Sequence, residues 1–266
     1  ILRSNPILQH LRSIKEPEEI ELLQKACNIT EKGVRRLLSF VKPGVWEYEI
    51  EAELMHEFLR NRSKGFAYTP IIASGENANV LHYIANNMQC KDGDVILLDV
   101  GAEYANYSSD LTRMIPVNGK FTARQKEIYN AVLDMKNFAT SLLVPGNNWY
   151  DYHKECGEFY TSKFLELGLL DKADVQNQDK NWPAYKKYMM HGTSHHLGLD
   201  THDYGILKDK FVENMVFTVE PGIYLPAEGF GVRIEDDMVI QNSGPAFNLM
   251  KNIPIEVEEI EELMNS

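Results

Sequence analysis

From Pro17 onward, apolar residues recur at helical spacing: Ile20, Leu23, Ala26, Ile29, Val34 and the pair Leu37-Leu38. That is the period of a helix burying one face. Pro17 fixes φ at its start, and Glu18 and Glu19 put negative charge there. Pro43-Gly44 stops it, and a second helix is expected over about 46–62. The pattern then shortens into strand-like runs. Residues 68–73 form one, followed by Ser74-Gly75, and Asp92-Gly93 marks a turn before Val95–Val100. Residues 107–117 read as the partner of that strand, with a turn near 104–106. Helices are predicted again over about 123–143 and 149–167, and a Lys/Asp/Asn-rich connector over 171–187. Strands return at 215–219, 223–225 and 232–240. The acidic tail, 255–264, reads as a short helix or a frayed end.

Part of this pattern occurs twice. Val41-Lys42-Pro43-Gly44 leads to Trp46 and Glu47-Tyr48, and Val144-Pro145-Gly146 leads to Trp149 and Asp151-Tyr152. Each time a long helix precedes the break, a helix follows, and strands come later. Chance reuse of common turn chemistry would give the same match. Two related halves of an α+β domain are the alternative.

Composition narrows the class. The chain has 266 residues, 44% of them hydrophobic and 25% charged, ordinary for a soluble domain with a sizeable core. With 27 basic and 39 acidic residues the formal charge is −12. That argues against nucleic acid or an anionic membrane as partner, because both require a basic face. Cationic ligands, peptides with a free amino terminus and metal ions remain. Cys27, Cys90 and Cys156 are odd in number and widely spaced, which points to a reducing, cytoplasmic setting without a disulfide framework. No apolar run approaches the roughly 20 residues of a membrane span, and the N-terminus lacks a signal-peptide pattern.

The candidate chemistry is concentrated. Four of the eight histidines fall in the segment HGTSHHLGLDTHD: His191, His195, His196 and His202. His191 and His195 are four apart, but Gly192 stands where a helical zinc motif needs Glu, and the glycines favour a loop. Asp99 ends an apolar strand, where an unpaired charge is expensive. Asp110, on the return strand, is expected nearly opposite it. Glu220 and Glu235 follow apolar strands in the same way, across a stretch containing Pro226, Gly229 and Gly231. Singly, each carboxylate could be a strand-end salt bridge. Together, four carboxylates and an imidazole are a hard, oxygen-rich set that suits two Mn²⁺-like ions better than thiolate-loving metals. Four negative charges would balance two divalent ions, and a water bridging them could ionise near neutral pH and act as nucleophile.

The ordered motifs LLDVGAEY, SSDLTR, HGTSHHLGLDTHD, TVEPGIY and GVRIEDD resemble the pita-bread metallopeptidases, and within them the aminopeptidase P (Xaa-Pro aminopeptidase) group. The resemblance runs from about Leu11 to the end. It implies an α+β pita-bread fold with two pseudo-twofold halves and a curved, mainly antiparallel sheet covered by helices. It implies a catalytic domain over 13–266, with 1–12 as a linker remnant and without the N-terminal domain usual in the family. It implies that Asp99 binds one metal, that His195 and Glu220 bind the other, and that Asp110 and Glu235 bridge both. The ions would be Mn²⁺ first, with Co²⁺, Fe²⁺ or Zn²⁺ as alternatives. Glu220 would also shuttle the proton. His82 would lie near the scissile amide, His191 would contact a substrate carbonyl, and His202 would steady the oxyanion. Arg233 and Tyr224 would support the ligands, Tyr224 beside substrate. His196 has no implied role, and His10, His56 and His153 read as surface or helix residues. The implied substrates are peptides with proline second, and the implied assembly leaves room for a homo-oligomer. The nearest rival is prolidase, restricted to Xaa-Pro dipeptides. A catalytically dead binding module of the same fold is a more distant one, since such modules typically lose ligands and all five are present.

Overall fold

The structure is a computed structural model describing residues 4–266. Its helices follow the sequence pattern closely. α1 spans Asn5–Ser13, α2 Pro17–Phe40 and α3 Glu47–Arg60. α4 (Ala123–Ser141) starts at Thr122, whose hydroxyl accepts from the Gln125 amide. α5 (Trp149–Glu166) starts at Asn148, whose side chain accepts from the amides of Tyr150 and Asp151. Each cap satisfies N–H groups that have no partner within the helix. α6 (Lys172–Gln176) interrupts the polar connector, and α7 (Val257–Met264) forms the tail. The stretch expected as a linker is thus helical from Asn5.

The strands are β1 (Ile71–Ser74), β2 (Val95–Val100), β3 (Glu103–Tyr104), β4 (Tyr107–Ser108) and β5 (Leu111–Pro116). In the second half come β6 (Val216–Val219), β7 (Gly222–Leu225), β8 (Phe230–Arg233), β9 (Asp236–Val239) and β10 (Phe247–Asn248). One antiparallel sheet is ordered β1-β2-β5 and another β10-β9-β6, with β3-β4 and β7-β8 as hairpin extensions. An antiparallel bridge between Thr112 and Glu235 joins the halves. The main core lies between these sheets and α2 to α5, an α+β arrangement as expected.

Two expected strands are each broken. Residues 107–117 split at Ser109-Asp110, and 232–240 split at Ile234-Glu235. Candidate ligands therefore sit where the ladder is interrupted and a side chain can be re-aimed. The register also differs from expectation. Asp99 pairs with Thr112, and Val100 with Leu111. Asp110 therefore lies diagonally from Asp99 on the same face rather than opposite it. The turn is the cause: Ala105 and Asn106 both have positive φ, the two-residue hairpin geometry that matches strand twist.

The repeat is physical. Gly44 and Gly146 both take left-handed φ, of 95° and 92°. The Gly44 amide donates to Cys90 O and the Gly146 amide to Phe211 O, each at 2.9 Å. Trp46 then bridges Gln89, and Asn148 bridges Lys210. Asp99 and Glu220 each follow ten residues after those bridging partners, so the two halves deliver a carboxylate to equivalent strand ends.

Close backbone approach at Gly101 holds the first of these strand ends. A Cβ there would stand 1.8 Å from Ser109 O. Gly101→Ala is expected to destabilise the fold by about 1–3 kcal/mol or more, as overpacking does, and urea denaturation will measure it.

Candidate metal centre

A cavity of about 700 Å³ opens between the halves. Its lining includes Asp99, Asp110, His195, Glu220 and Glu235 with His82, His191, His202 and Arg233. All five expected metal ligands and the expected histidines therefore converge on one site. Asp110, His195 and Glu235 each offer a ligand atom within 4.8 Å of the others.

His195 is prepared as a ligand. Its Nδ1 lies 3.0 Å from the His196 carbonyl oxygen, which can only accept, so Nδ1 carries the proton in the neutral ring. The Nε2 lone pair then faces Asp110 Oδ2 at 3.4 Å and Glu220 Oε1 at 3.6 Å. A backbone acceptor on the far nitrogen is the usual way a ligating imidazole is held in its tautomer.

The carboxylates crowd one another. Tyr68 Oη lies 2.7 Å from Asp99 Oδ1 and 2.7 Å from Asp110 Oδ1, so a single hydroxyl proton serves two acids. Arg233 pairs with Asp99 Oδ2 and donates from Nε to Thr112 Oγ1 at 3.1 Å and from Nη1 to Tyr224 Oη at 2.9 Å. The Thr112 hydroxyl donates in turn to Glu235 Oε2 at 2.7 Å. Burial raises the Glu235 carboxyl well above its ordinary range, and Asp110, Glu220 and Asp99 push it further. Burial also raises Glu220 to about 7, with His195 and Arg233 pulling against it. Asp99 is raised by burial too, opposed by Arg233 and helped by Asp110. Burial drives the His195 imidazolium down, but Asp110 and Glu220 outweigh it and hold the group at about 9. Acids that cannot all ionise together are a site short of positive charge, which is what a divalent cation would supply.

His191 refines an expectation. Its Nδ1 is 2.8 Å from Gly192 O and its Nε2 2.8 Å from Tyr224 Oη. Both ring nitrogens are engaged, and burial followed by the nearby Arg233 holds the ring neutral, with a pKa of about 3. Tyr224 stands behind His191, fully buried. His82 and His202 are exposed residues in the cavity lining, and the His202 ring packs 4.4 Å from that of His195. His196 faces away, buried against Phe217 and Trp149. His153 stacks on Trp149 from α5, while His10 and His56 are exposed helix residues.

Several contributors were not singled out in the sequence. Tyr68 and Thr112 contact the acids directly. Asp237 Oδ2 accepts from the Asp110 amide at 3.0 Å and from Cys27 Sγ at 3.4 Å. Asp236 is buried against Arg113 and Lys136, and Arg113 donates to Glu235 O at 2.8 Å. Only Thr112 carried a sequence signal, since it alternates with Asp110 onto the same face. Tyr68 reaches Asp99 and Asp110 from 31 and 42 residues away, and the other contacts span a hundred residues or more.

An acid-rich centre on paired strand ends defines a metallohydrolase-type site. Residues 21–242 match metallopeptidase family M24, and the chain belongs to that family. It is 42% identical to a Xaa-Pro aminopeptidase of Haemophilus influenzae over all of its own length, and 40% identical to one of Escherichia coli over 97%. It spans 64% and 61% of those relatives. The solved Zn-substituted aminopeptidase P of E. coli in complex with product superimposes with a TM-score of 0.92 at 38% identity, covering 99% of this chain and 62% of that one. The pita-bread fold is therefore established.

Protons compete with metal here. Glu220 at about 7 and His195 at about 9 must lose theirs on loading, so affinity should climb between pH 6 and pH 8 with measurable proton release. Raised carboxyl pKa values mean that the metal-free fold binds more protons than the unfolded chain. Its stability therefore falls as pH rises through this range, and His195 loses its contribution above about 9. Added Mn²⁺ should raise Tm more at pH 8 than at pH 6, as calorimetry in two buffers will show.

Proposed function

We propose that this chain is the catalytic domain of a dinuclear-metal aminopeptidase that removes the N-terminal residue from peptides with proline in second place. The observation that carries this reading is the convergence of four acids on one imidazole whose Nε2 faces two of them. Its relatives' names supply the substrate class. Asp99, Asp110, His195, Glu220 and Glu235 would hold two divalent ions, Mn²⁺ first, which supply Lewis acidity and balance the four carboxylates.

The protein's own residues perform the remaining steps. A Xaa-Pro bond is a tertiary amide without an N–H, so a site for it need not recognise that donor. It must deliver a proton to the leaving ring nitrogen. Glu220, whose carboxylate oxygens lie 3.6 Å from His191 and from His195, would take up and return that proton as the shuttle. His202 stands at the rim, where its imidazole would donate to a developing oxyanion, and His82 would lie near the scissile amide. Arg233 holds Asp99 and Tyr224 in place, and Tyr224 fixes His191. Ile71, Leu81 and Ile84 form an apolar side of the cavity that can hold an apolar side chain or ring without desolvating the acids further. The acidic surface favours a protonated amino terminus. We place the chain in the cytoplasm, in keeping with three free, buried cysteines.

A Xaa-Pro-Xaa tripeptide assayed with Mn²⁺ against a Xaa-Pro dipeptide tests the reading. Cleavage of the tripeptide is expected, and cleavage of the dipeptide alone would favour prolidase. Asp110→Ala and Glu235→Ala should each abolish activity and bind fewer than two ions by elemental analysis. His202→Ala should keep both ions and lose about 10²–10³ in kcat, the scale of one oxyanion donor.

A further inference from the structure

The outer wall of the cavity includes the loop 197–206, which has no helix or strand and carries Thr201 and His202 into the lining. Two carboxylates flank His202 in sequence, Asp200 and Asp203. Both reach one guanidinium. Arg12 Nη2 lies 2.7 Å from Asp200 Oδ2 and 2.6 Å from Asp203 Oδ1, and the same guanidinium sits over the Tyr204 ring at 4.8 Å. From the protein side, Lys15 Nζ approaches Asp203 Oδ2 at 3.4 Å, with both side chains only 1% exposed.

The backbone around this cluster is tied as well. The Asp203 amide donates to His196 O at 2.9 Å, and Gly198 O accepts from the Ser108 amide at 2.9 Å. A Cβ on Gly198 would stand 2.1 Å from Asp203 Oδ2, so the carboxylate fills the space that a side chain there would take. The other end of the clamp is fixed too: the Lys15 amide donates to Asn214 O at 3.0 Å, and Ile14 bridges Met215. A surface loop could leave its charges in water. Burying Lys15 with Asp203 instead costs desolvation, and it yields a fixed backbone next to His202.

Neither Arg12 nor Lys15 lines the cavity, whereas Asp200, which Arg12 holds, does. We propose that they are positioning residues: through Asp200 and Asp203 they hold the 197–206 loop so that His202 stays against His195 at the rim. The kinetic part of this inference rests on the role given to His202 above.

Hydrogen–deuterium exchange on the metal-loaded protein tests the clamp without reference to activity. Arg12→Ala and Asp200→Asn should both speed exchange within 197–206 by about tenfold or more, the size of a local opening made easier, with metal content and exchange elsewhere unchanged. Asp200 is the safer variant, since its carboxylate is mostly exposed. In the tripeptide assay, Arg12→Ala should lower kcat by about 10–100-fold, the range for a displaced group, with KM unchanged and partial recovery in Arg12→Lys. In a His202→Ala background the same substitution should cost nothing more. Unchanged exchange in the loop, or an equal loss of kcat with and without His202, would overturn the proposal. If wild-type protein cleaves no Xaa-Pro peptide, the functional reading falls, and exchange still decides the clamp.

Discussion

Repulsion among buried acids is the constraint around which this structure is arranged. Asp99, Asp110, Glu220 and Glu235 converge in a cavity whose walls exclude much of the water, where charges interact far more strongly than in bulk solvent. One arginine, Arg233, offsets part of that charge directly. The layer behind adds two further acids, Asp236 and Asp237. Asp236 is neutralised by Arg113 and Lys136. Among the described residues, Asp237 has only the Asp110 amide and the Cys27 thiol on one oxygen, and burial, with Asp110 next, raises its pKa well above the ordinary range. Broken strands, the alanine-free approach at Gly101 and the shared Tyr68 hydroxyl all serve to keep acids together that would separate in a softer scaffold.

The elements were largely legible because each depends on local periodicity and punctuation. The two split strands were not, because apolar character continues through Ile234 and Leu111 and hides the break beside each acid. The Asp99–Asp110 offset was hidden by turn chemistry. A hairpin centred one residue later shifts every pairing by two, and Ala105, unlike Gly or Asn, gives no hint of a left-handed conformation. The convergence of the candidate ligands could be read because strand-end acids and clustered histidines are unusual in sequence. Tyr68, Arg113, Lys136 and Asp237 could not, because ordinary residues acquire their meaning only from partners distant in the chain, those of Arg113 and Asp237 lying across the two halves. Arg12 lay in a stretch that reads as a linker, although its guanidinium reaches the cavity wall.

The doubled architecture shows how one scaffold supports two chemistries. Equivalent strand ends present Asp99 and Glu220, but their neighbours differ. Asp99 is clamped by Arg233 and hydrogen-bonded by Tyr68. Among the described residues, Glu220 faces His195 and His191 without a close arginine contact. Similar backbones thus give one acid paired with an arginine and one faced by imidazoles, and paired carboxylates in different environments can take different roles.

The bridge between Thr112 and Glu235 is where the two halves touch through backbone and through a candidate ligand at once. Neither half owns the centre: two of the acids come from one and the histidine and remaining acids from the other. A metal held there would draw ligands from both halves, so its binding would be coupled to closure of the seam. Chelation would then loosen the molecule at its waist, and the first segments exposed to proteolysis would be those along the seam rather than the chain ends.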